Sequence, residues 1–381
     1  ALVWLAGVVA FGVAGARDPR VPHLGAVGNA LAAPITRWDS IHLEAIALHG
    51  YATKSHSAFF PLYPLLARAV GEVTGSLLVG GALVSLAAFF GGLVIVHRLA
   101  ELELGAAAAR RTVWLLAFFP AALFFSAFYT EALFLVLTAG AVYLARRGRF
   151  GWACALGALA SATRNTGVLV AAPIALLYLY GPREDRPGPP PRGTAWRARI
   201  RPRHPVRPDA LWLLLVPAGL VAFSIYQWAR FGDPLATWHV QTFWSRGFHG
   251  PFSAIWYAIP KTWQATYELF TGSHDTFESP IAKLALGGAL GLAVVSVVGL
   301  FRRLPVAYGA YVLVALLPPL SSPWPAHPLM SLPRFLAVLF PIHMWLALRT
   351  SPRRRFAVVL VASGAMLAVL SVKFATWGWA S

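Results

Sequence analysis

The tetrad Arg37-Trp38-Asp39-Ser40 follows an apolar opening run and starts a polar stretch that continues through His42, Glu44 and His49. A carboxylate just outside a membrane span can accept a hydroxyl proton while that hydroxyl attacks an activated carbon, which is general-base chemistry. Asp is also a favoured helix N-cap, and a short amphipathic helix over 40–49 would give Asp39 that duty instead. On such a helix Asp39, His42, Ile46 and His49 share a face. That face suits a metal or, more simply, hydrogen bonding at an interface, and no metal site is assigned to it.

Four more ionisable residues stand where charge is costly. Glu131 and Arg164 interrupt apolar runs, while Asp233 and Arg334 lie at the edges of others. Charged groups at membrane depth point to function because their burial is expensive. Both signs of charge around one external cavity suit an anionic substrate, and phosphate matches arginine by charge and by bidentate hydrogen bonding. Glu131 either positions a substrate hydroxyl or pairs with Arg164 to join two hairpin tips. Arg334 either clamps a phosphate or snorkels to the interface. Tyr63, Trp244 and Trp324 either stack on a sugar or form part of an aromatic belt.

The elements that must position these groups are membrane helices. Of 381 residues, 58% are hydrophobic and only 12% charged, with 15 Trp and 24 Phe, whereas soluble domains carry roughly 25% charged residues. Several runs approach the roughly 20 residues needed to cross a hydrocarbon core of about 30 Å. The chain reads as an all-α polytopic membrane protein. Residues 1–16 lack a basic leader and a small-residue cleavage site, so they read as a first span, not a signal peptide. The formal charge of +18 is a topology signal. Basic clusters at 98–111, 146–149, 182–208, 302–303 and 349–355 hold most of the Lys and Arg but a minority of the Asp and Glu, and are assigned to the cytoplasm. That distribution excludes nucleic-acid binding as the main reading, and the Arg- and Pro-rich stretch 182–208 reads as a cytoplasmic linker touching lipid headgroups.

With those clusters on one side, 112–145 and 151–181 must be hairpins with legs too short to cross fully. Their tips, Tyr129-Thr130-Glu131 and Arg164-Asn165, then lie inside protein or against a wet cavity. Two long connections, 17–75 and the aromatic-rich 231–280, fall on the same external face. Residues 58–66 read as an interfacial segment whose prolines stop regular helix. Residues 209–230 and 335–348 read as single spans. About eleven transmembrane or partly inserted helices result, in one domain with a large first external loop. There is no Gly-rich phosphate loop, Cys/His metal spacing or Gly-x-Ser-x-Gly elbow, so soluble nucleotide chemistry is not supported and no cofactor is expected. An activated donor would arrive in lipid-linked form.

These motifs resemble those of a known family. Arg37-Trp38-Asp39-Ser40, His49-Gly50-Tyr51 and Phe59-Phe60-Pro61-Leu62-Tyr63-Pro64 are similar to the first luminal loop of the PIG-V family, the GPI mannosyltransferase II group and its bacterial relatives. The similarity recurs at Tyr129-Thr130-Glu131, Thr163-Arg164-Asn165 and Phe231-Gly232-Asp233, with Gln241 and Trp244, and weakly at Leu332-Pro333-Arg334. The resemblance implies a GT-C-like membrane glycosyltransferase that inverts the anomeric centre. It implies a polyprenyl-phosphate sugar donor, mannose by family habit, used at the non-cytoplasmic face. Carried over by position, Asp39 is the candidate base, and Arg164 and Arg334 are the candidates for the donor phosphate. Trp38, His42, Tyr63, Glu131, Gln241 and Trp244 are the candidates for the pocket wall. The composition resembles that of a high-GC bacterium, which places the chain in a plasma membrane. A glycolipid or glycan acceptor then replaces the GPI precursor. The competing class is a lipid-linked sugar transporter or flippase, which would distribute its charges through the depth of the membrane.

Overall fold

The computed structural model describes residues 2–14, 35–185, 202–272, 279–376 and 378. Parts of the connections 17–75 and 231–280 and most of the Arg- and Pro-rich linker therefore lie outside the described residues. Among those described there is no strand, only one isolated bridge between Trp324 and His327. The helices in chain order are α1 (Leu2–Ala14), α2 (Asp39–His49), α3 (Leu62–Thr74), α4 (Leu77–Leu104), α5 (Ala106–Ala117), α6 (Glu131–Arg146), α7 (Phe150–Ser161), α8 (Ala171–Tyr180), α9 (Ala218–Phe231), α10 (Ala236–His239), α11 (Ser253–Thr271), α12 (Pro280–Arg303), α13 (Val306–Ser321), α14 (Leu332–Val338), α15 (Phe340–Arg349) and α16 (Arg353–Ala375).

Local chemistry sets the ends of the long helices. Ser76 accepts from the Val79 amide at the start of α4, and Ser279 accepts from Ala282 at the start of α12, where Pro280 occupies the first turn. The long α4 is the central post, with α3, α5 and α6 packed around it and α7 beyond α6. Helix α1 lies on α16, α5 on α15, α8 on α13 and α11 on α12. The 3-10 turn Ala122–Phe125 is wholly buried, and Phe125, Phe128, Tyr308, Tyr311 and Phe340 are among the largest fully buried side chains.

The chain is an integral membrane protein by the character of its helices, but the eleven-segment count is not reproduced. Three helices, α4, α12 and α16, are long and apolar enough to span. Two further pairs reach that length only across sharp bends: Pro208–Leu215 with α9 at 42°, and α14 with α15 at 83°. The sequence reading had each as one straight span. Proline is the reason: Pro217 follows the first 3-10 segment, and Pro341, without an N–H, stands at the start of α15. The Ala337 carbonyl beside the second break accepts from His343 Nε2 at 3.1 Å.

Two other local expectations change. Pro61 and Pro64 open α3 instead of stopping it, because the first turn of a helix has N–H groups without intrahelical partners and loses nothing to proline. The described part of the 231–280 connection is largely helical. Its α11 runs 19 residues and exposes Trp256, Trp263, Tyr267 and Phe270 along its length, as an interfacial aromatic belt does.

Candidate active site

A cavity of about 790 Å³ opens among α2, the start of α6, the turn before residue 165, the loop after residue 240, and α14. Trp38, Asp39, His42, Glu131, Arg164, Gln241, Trp244 and Arg334 all line it. Residues up to 295 positions apart thus meet at one place.

Asp39 reaches the cavity through a strained piece of backbone. Trp38 has φ 58°, a left-handed conformation that bulky residues rarely adopt. Such a residue costs about 1–3 kcal/mol and persists only where its surroundings hold it. Here the Tyr129 hydroxyl accepts from the Asp39 amide at 3.1 Å and donates to the Arg37 carbonyl at 2.9 Å. The Phe128 amide donates to Ile35 at 2.9 Å, and the buried Arg37 guanidinium donates from Nε to the Ala375 carbonyl that ends α16. The motif is therefore stitched to the first hairpin tip and to the last helix. Asp39 is the first residue of α2 and Trp38 holds the N-cap position, so Asp39 is not the N-cap, and its Oδ2 takes Arg334.

The carboxylates and guanidiniums form one chain of charge. Arg334 Nη1 donates to Asp39 Oδ2 at 2.6 Å, and its Nε lies 3.3 Å from Glu131 Oε1. The same Glu131 oxygen accepts from Arg164 at 2.6 Å. Arg334 is 12% exposed and Glu131 1%, so Arg334 is an ion-pair partner and does not snorkel. Glu131 joins the hairpin tips as its structural reading expected, yet its Oε2 has no hydrogen-bond partner in the described structure. The Glu131 position, first in α6, also places its charge where the helix dipole favours an anion. Arg164 is set by a tight tip: its amide donates to Ala160 at 3.1 Å, and Gly167 packs so close to the Ala160 carbonyl that a Cβ there would overlap it.

Burial works against ionisation of Asp39, but Arg334 outweighs it, with smaller help from His42 and Arg246, and the carboxyl is held below its usual 3.8. For His42 burial is the larger effect and holds the imidazole below its usual 6.5, against the pull of Asp39. The ring stacks on Phe59 at 5.0 Å and meets Trp244 edge-on at 5.4 Å. The Trp244 indole N–H is buried and has no hydrogen-bond partner among the described residues.

Not every expected residue arrives. Tyr63 is fully buried away from the cavity, with its hydroxyl on the Gly81 carbonyl at 3.1 Å and Ser85 Oγ at 2.8 Å. Its assignment to the pocket wall is withdrawn: it fastens α3 to α4. Asp233 also stays outside, paired with Lys54 at 2.8 Å and His239 at 2.8 Å. Those hydrogen bonds, first with Lys54 and then with His239, hold its carboxyl at about 2. It staples the 231–280 connection to the 17–75 connection, as does Thr237 Oγ1 donating to the Ser57 carbonyl at 3.0 Å.

One residue of the cavity was not anticipated. Arg246 lines it and makes no ion pair among the described residues. Burial, then repulsion from Arg334, lowers its guanidinium to about 10, which still leaves it charged at neutral pH. Its loop is fixed at both sides: the Arg246 amide donates to Gln241 at 3.0 Å, and the His249 and Phe252 amides donate to Ser321 at 3.0 and 3.2 Å. Two carboxylates thus face three guanidiniums across the cavity, leaving one positive charge unmatched.

A many-helix membrane protein with a cationic, aromatic-walled cavity is the class that fold and site define. Residues 24–180 match the family model described as Mannosyltransferase (PIG-V), so the resemblance read from the motifs is borne out over that stretch. Over 147 residues the chain is 36% identical to GPI alpha-1,6-mannosyltransferase 2 of Mus musculus, covering 35% of this chain and 30% of that protein. The Rattus norvegicus protein of the same name is 35% identical over 166 residues, 40% of this chain and 34% of its own length. That of Homo sapiens is 31% identical over 146 residues, covering 35% and 30%. The aligned stretch is therefore about a third of the relatives' length. The family match contains Asp39, Glu131 and Arg164 but ends before Gln241, Trp244, Arg246 and Arg334. Among solved structures, the Archaeoglobus fulgidus oligosaccharyltransferase complex with Zn and sulfate aligns with 98% of this chain and 53% of its own, at 12% identity and TM-score 0.40, too distant to define the fold.

Two tyrosines separate positioning from packing. Tyr129→Phe removes both bonds to the Arg37–Asp39 backbone, and Tyr63→Phe removes the bonds joining α3 to α4. Each is expected to lower stability by about 1–3 kcal/mol, the cost of stranding buried polar groups. Only Tyr129→Phe is expected to reduce activity per folded molecule, by tenfold or so if a misplaced Asp39 contributes about 1.4 kcal/mol. Thermal melts with activity assays on matched folded fractions check this, and equal losses from both would remove the positioning role.

Proposed function

We propose that the chain is a glycosyltransferase whose cavity moves a sugar, mannose by family resemblance, from a polyprenyl-phosphate donor to a glycolipid or glycan acceptor. The observation that carries this reading is a carboxylate and an unmatched guanidinium facing one aromatic-walled cavity. Asp39 Oδ2 takes Arg334, while Oδ1 has no protein partner among the described residues. It is left to accept a hydroxyl proton.

In this reading the donor phosphate enters against Arg246 and competes for Arg334 and Arg164, whose own charges are already shared with carboxylates. The acceptor hydroxyl gives its proton to Asp39, and its oxygen attacks the anomeric carbon. The bond from that carbon to the phosphate oxygen breaks, and the electron pair leaves with the polyprenyl phosphate. Preorganised guanidiniums stabilise that leaving charge. Attack opposite the leaving group inverts the anomeric centre. Trp38, His42, Gln241 and Trp244 hold the sugars by stacking and hydrogen bonding, with the free Trp244 N–H and Glu131 Oε2 available to hydroxyls. The non-cytoplasmic location follows from the charge pattern, and a bacterial plasma membrane from the composition.

The ion pair that keeps Asp39 ionised also makes it a weak base, and the donor corrects this. A phosphate that draws Arg334 away raises the Asp39 pKa just when a base is needed. The resting carboxylate is stabilised above 3.8 and loses its ion pair only as pH falls through its lowered value. The acid limb of kcat/KM, which reports the free enzyme, is expected below 3.8. The limb of kcat, which reports the loaded enzyme, is expected at higher pH. Coincident limbs would remove the exchange of Arg334 between carboxylate and phosphate.

Asp39→Asn keeps the shape and cannot take the proton. With polyprenyl-phospho-mannose and extracted acceptor lipids, turnover should fall about 10²–10⁴-fold. Near-normal turnover would end the base assignment, and movement of labelled donor across the membrane without product would favour a transporter. Arg246→Gln should weaken donor affinity about 10–100-fold, as loss of a charge-assisted bond does, with kcat changed less. Arg246→Lys should recover part of the loss, since it restores the charge without the fork. Equilibrium binding of polyprenyl phosphate to each variant checks this without turnover, and unchanged binding in Arg246→Gln would exclude the contact.

A further inference from the structure

A second cavity, of about 350 Å³, lies between α12 and α15 and shares no residue with the first. Its walls are Val294, Val295 and Val298, all about half exposed. Its floor is Trp345 lying on Gly299, where a Cβ would overlap the indole. Trp345 is only 7% exposed, yet its indole N–H donates to no protein group among the described residues. The open end carries Arg302, Arg303 and Arg349.

Those three arginines are not compensated by protein. None makes an ion pair among the described residues. Arg302 and Arg303 close the last turn of α12, whose carbonyls offer only about half a negative charge. A valine-lined slot that ends in three free guanidiniums and a free indole N–H has the chemistry of an acyl chain followed by a phosphodiester. The arginines also belong to the clusters that the charge pattern assigns to the cytoplasmic side, where anionic lipids concentrate.

We propose that this groove is a binding site for an anionic phospholipid. One acyl chain lies along Val294, Val295 and Val298, and the headgroup phosphate sits among Arg302, Arg303 and Arg349 beside the Trp345 N–H. Binding at this site ties α12 to α15 and is independent of the sugar-transfer reading.

Native mass spectrometry of the purified full chain, loaded from an equal mixture of phosphatidylglycerol and phosphatidylcholine, tests the site. The unaltered chain is expected to retain phosphatidylglycerol selectively. The triple variant Arg302→Gln, Arg303→Gln, Arg349→Gln should weaken that retention on the order of a hundredfold, the product of three surface charges. The pair Val295→Trp, Val298→Trp fills an exposed slot with every charge intact and should also lose the lipid. The triple Arg353→Gln, Arg354→Gln, Arg355→Gln, which removes equal charge outside the groove, should retain it. Indifference of the unaltered chain to lipid charge would overturn the site. So would equal loss from both arginine triples, or full retention by the filled groove.

Discussion

The contact between Arg334 and Asp39 is the constraint on which the rest of the cavity depends. A guanidinium 12% exposed and a carboxylate beside it would each be costly alone. Together with Glu131 and Arg164 they form a line of alternating charge that neither hairpin tip could carry by itself. The fold has to bring α2, the start of α6, the tip after α7 and the first turn of α14 to one point. The packing around α4, and the 83° break that turns α15 away from α14, make that convergence possible.

Precision then comes from the backbone. Asp39 is aimed by a left-handed Trp38, and that conformation is kept by a hydroxyl from a different element, Tyr129. Arg37 spends its guanidinium on the end of α16 and leaves the cavity to Trp38 and Asp39. The 231–280 connection is held over the cavity by Asp233 with Lys54 and by Thr237 with Ser57. Residues that look like chemistry in the sequence therefore divide into those that face the cavity and those that hold its roof.

What could be read from the sequence was the set of groups that are expensive where they stand. Asp39, Glu131, Arg164 and Arg334 interrupt or border apolar runs, and the cost of burying them marked them before any geometry was known. Arg246 escaped because Ser245-Arg246-Gly247 in an aromatic connection looks like any exposed loop. Only tertiary packing makes it partly buried and leaves it without an ion pair among the described residues. Tyr63 was misassigned because a motif tyrosine near a proline cannot be told from a packing tyrosine until its hydroxyl partners are seen. Hydrophobic length counted spans correctly for α4, α12 and α16, but failed where Pro217 and Pro341 break a continuous apolar run into two directions.

The short legs beneath the cavity have a consequence for the lipid around them. Helix α7 has 12 residues and α6 has 16, lengths of roughly 18 and 24 Å at 1.5 Å per residue. A hydrocarbon core of about 30 Å does not match either. The bilayer adapts to such mismatch by thinning, at a modest cost for each ångström. Helix α6 is mostly covered by protein, so only the partly exposed α7 puts a short leg against lipid, and thinning there would lower the headgroup plane on the side of the tip that carries Arg164. For the lipid-linked donor proposed above, such thinning would shorten the sideways path to the cavity while its tail stayed in the hydrocarbon.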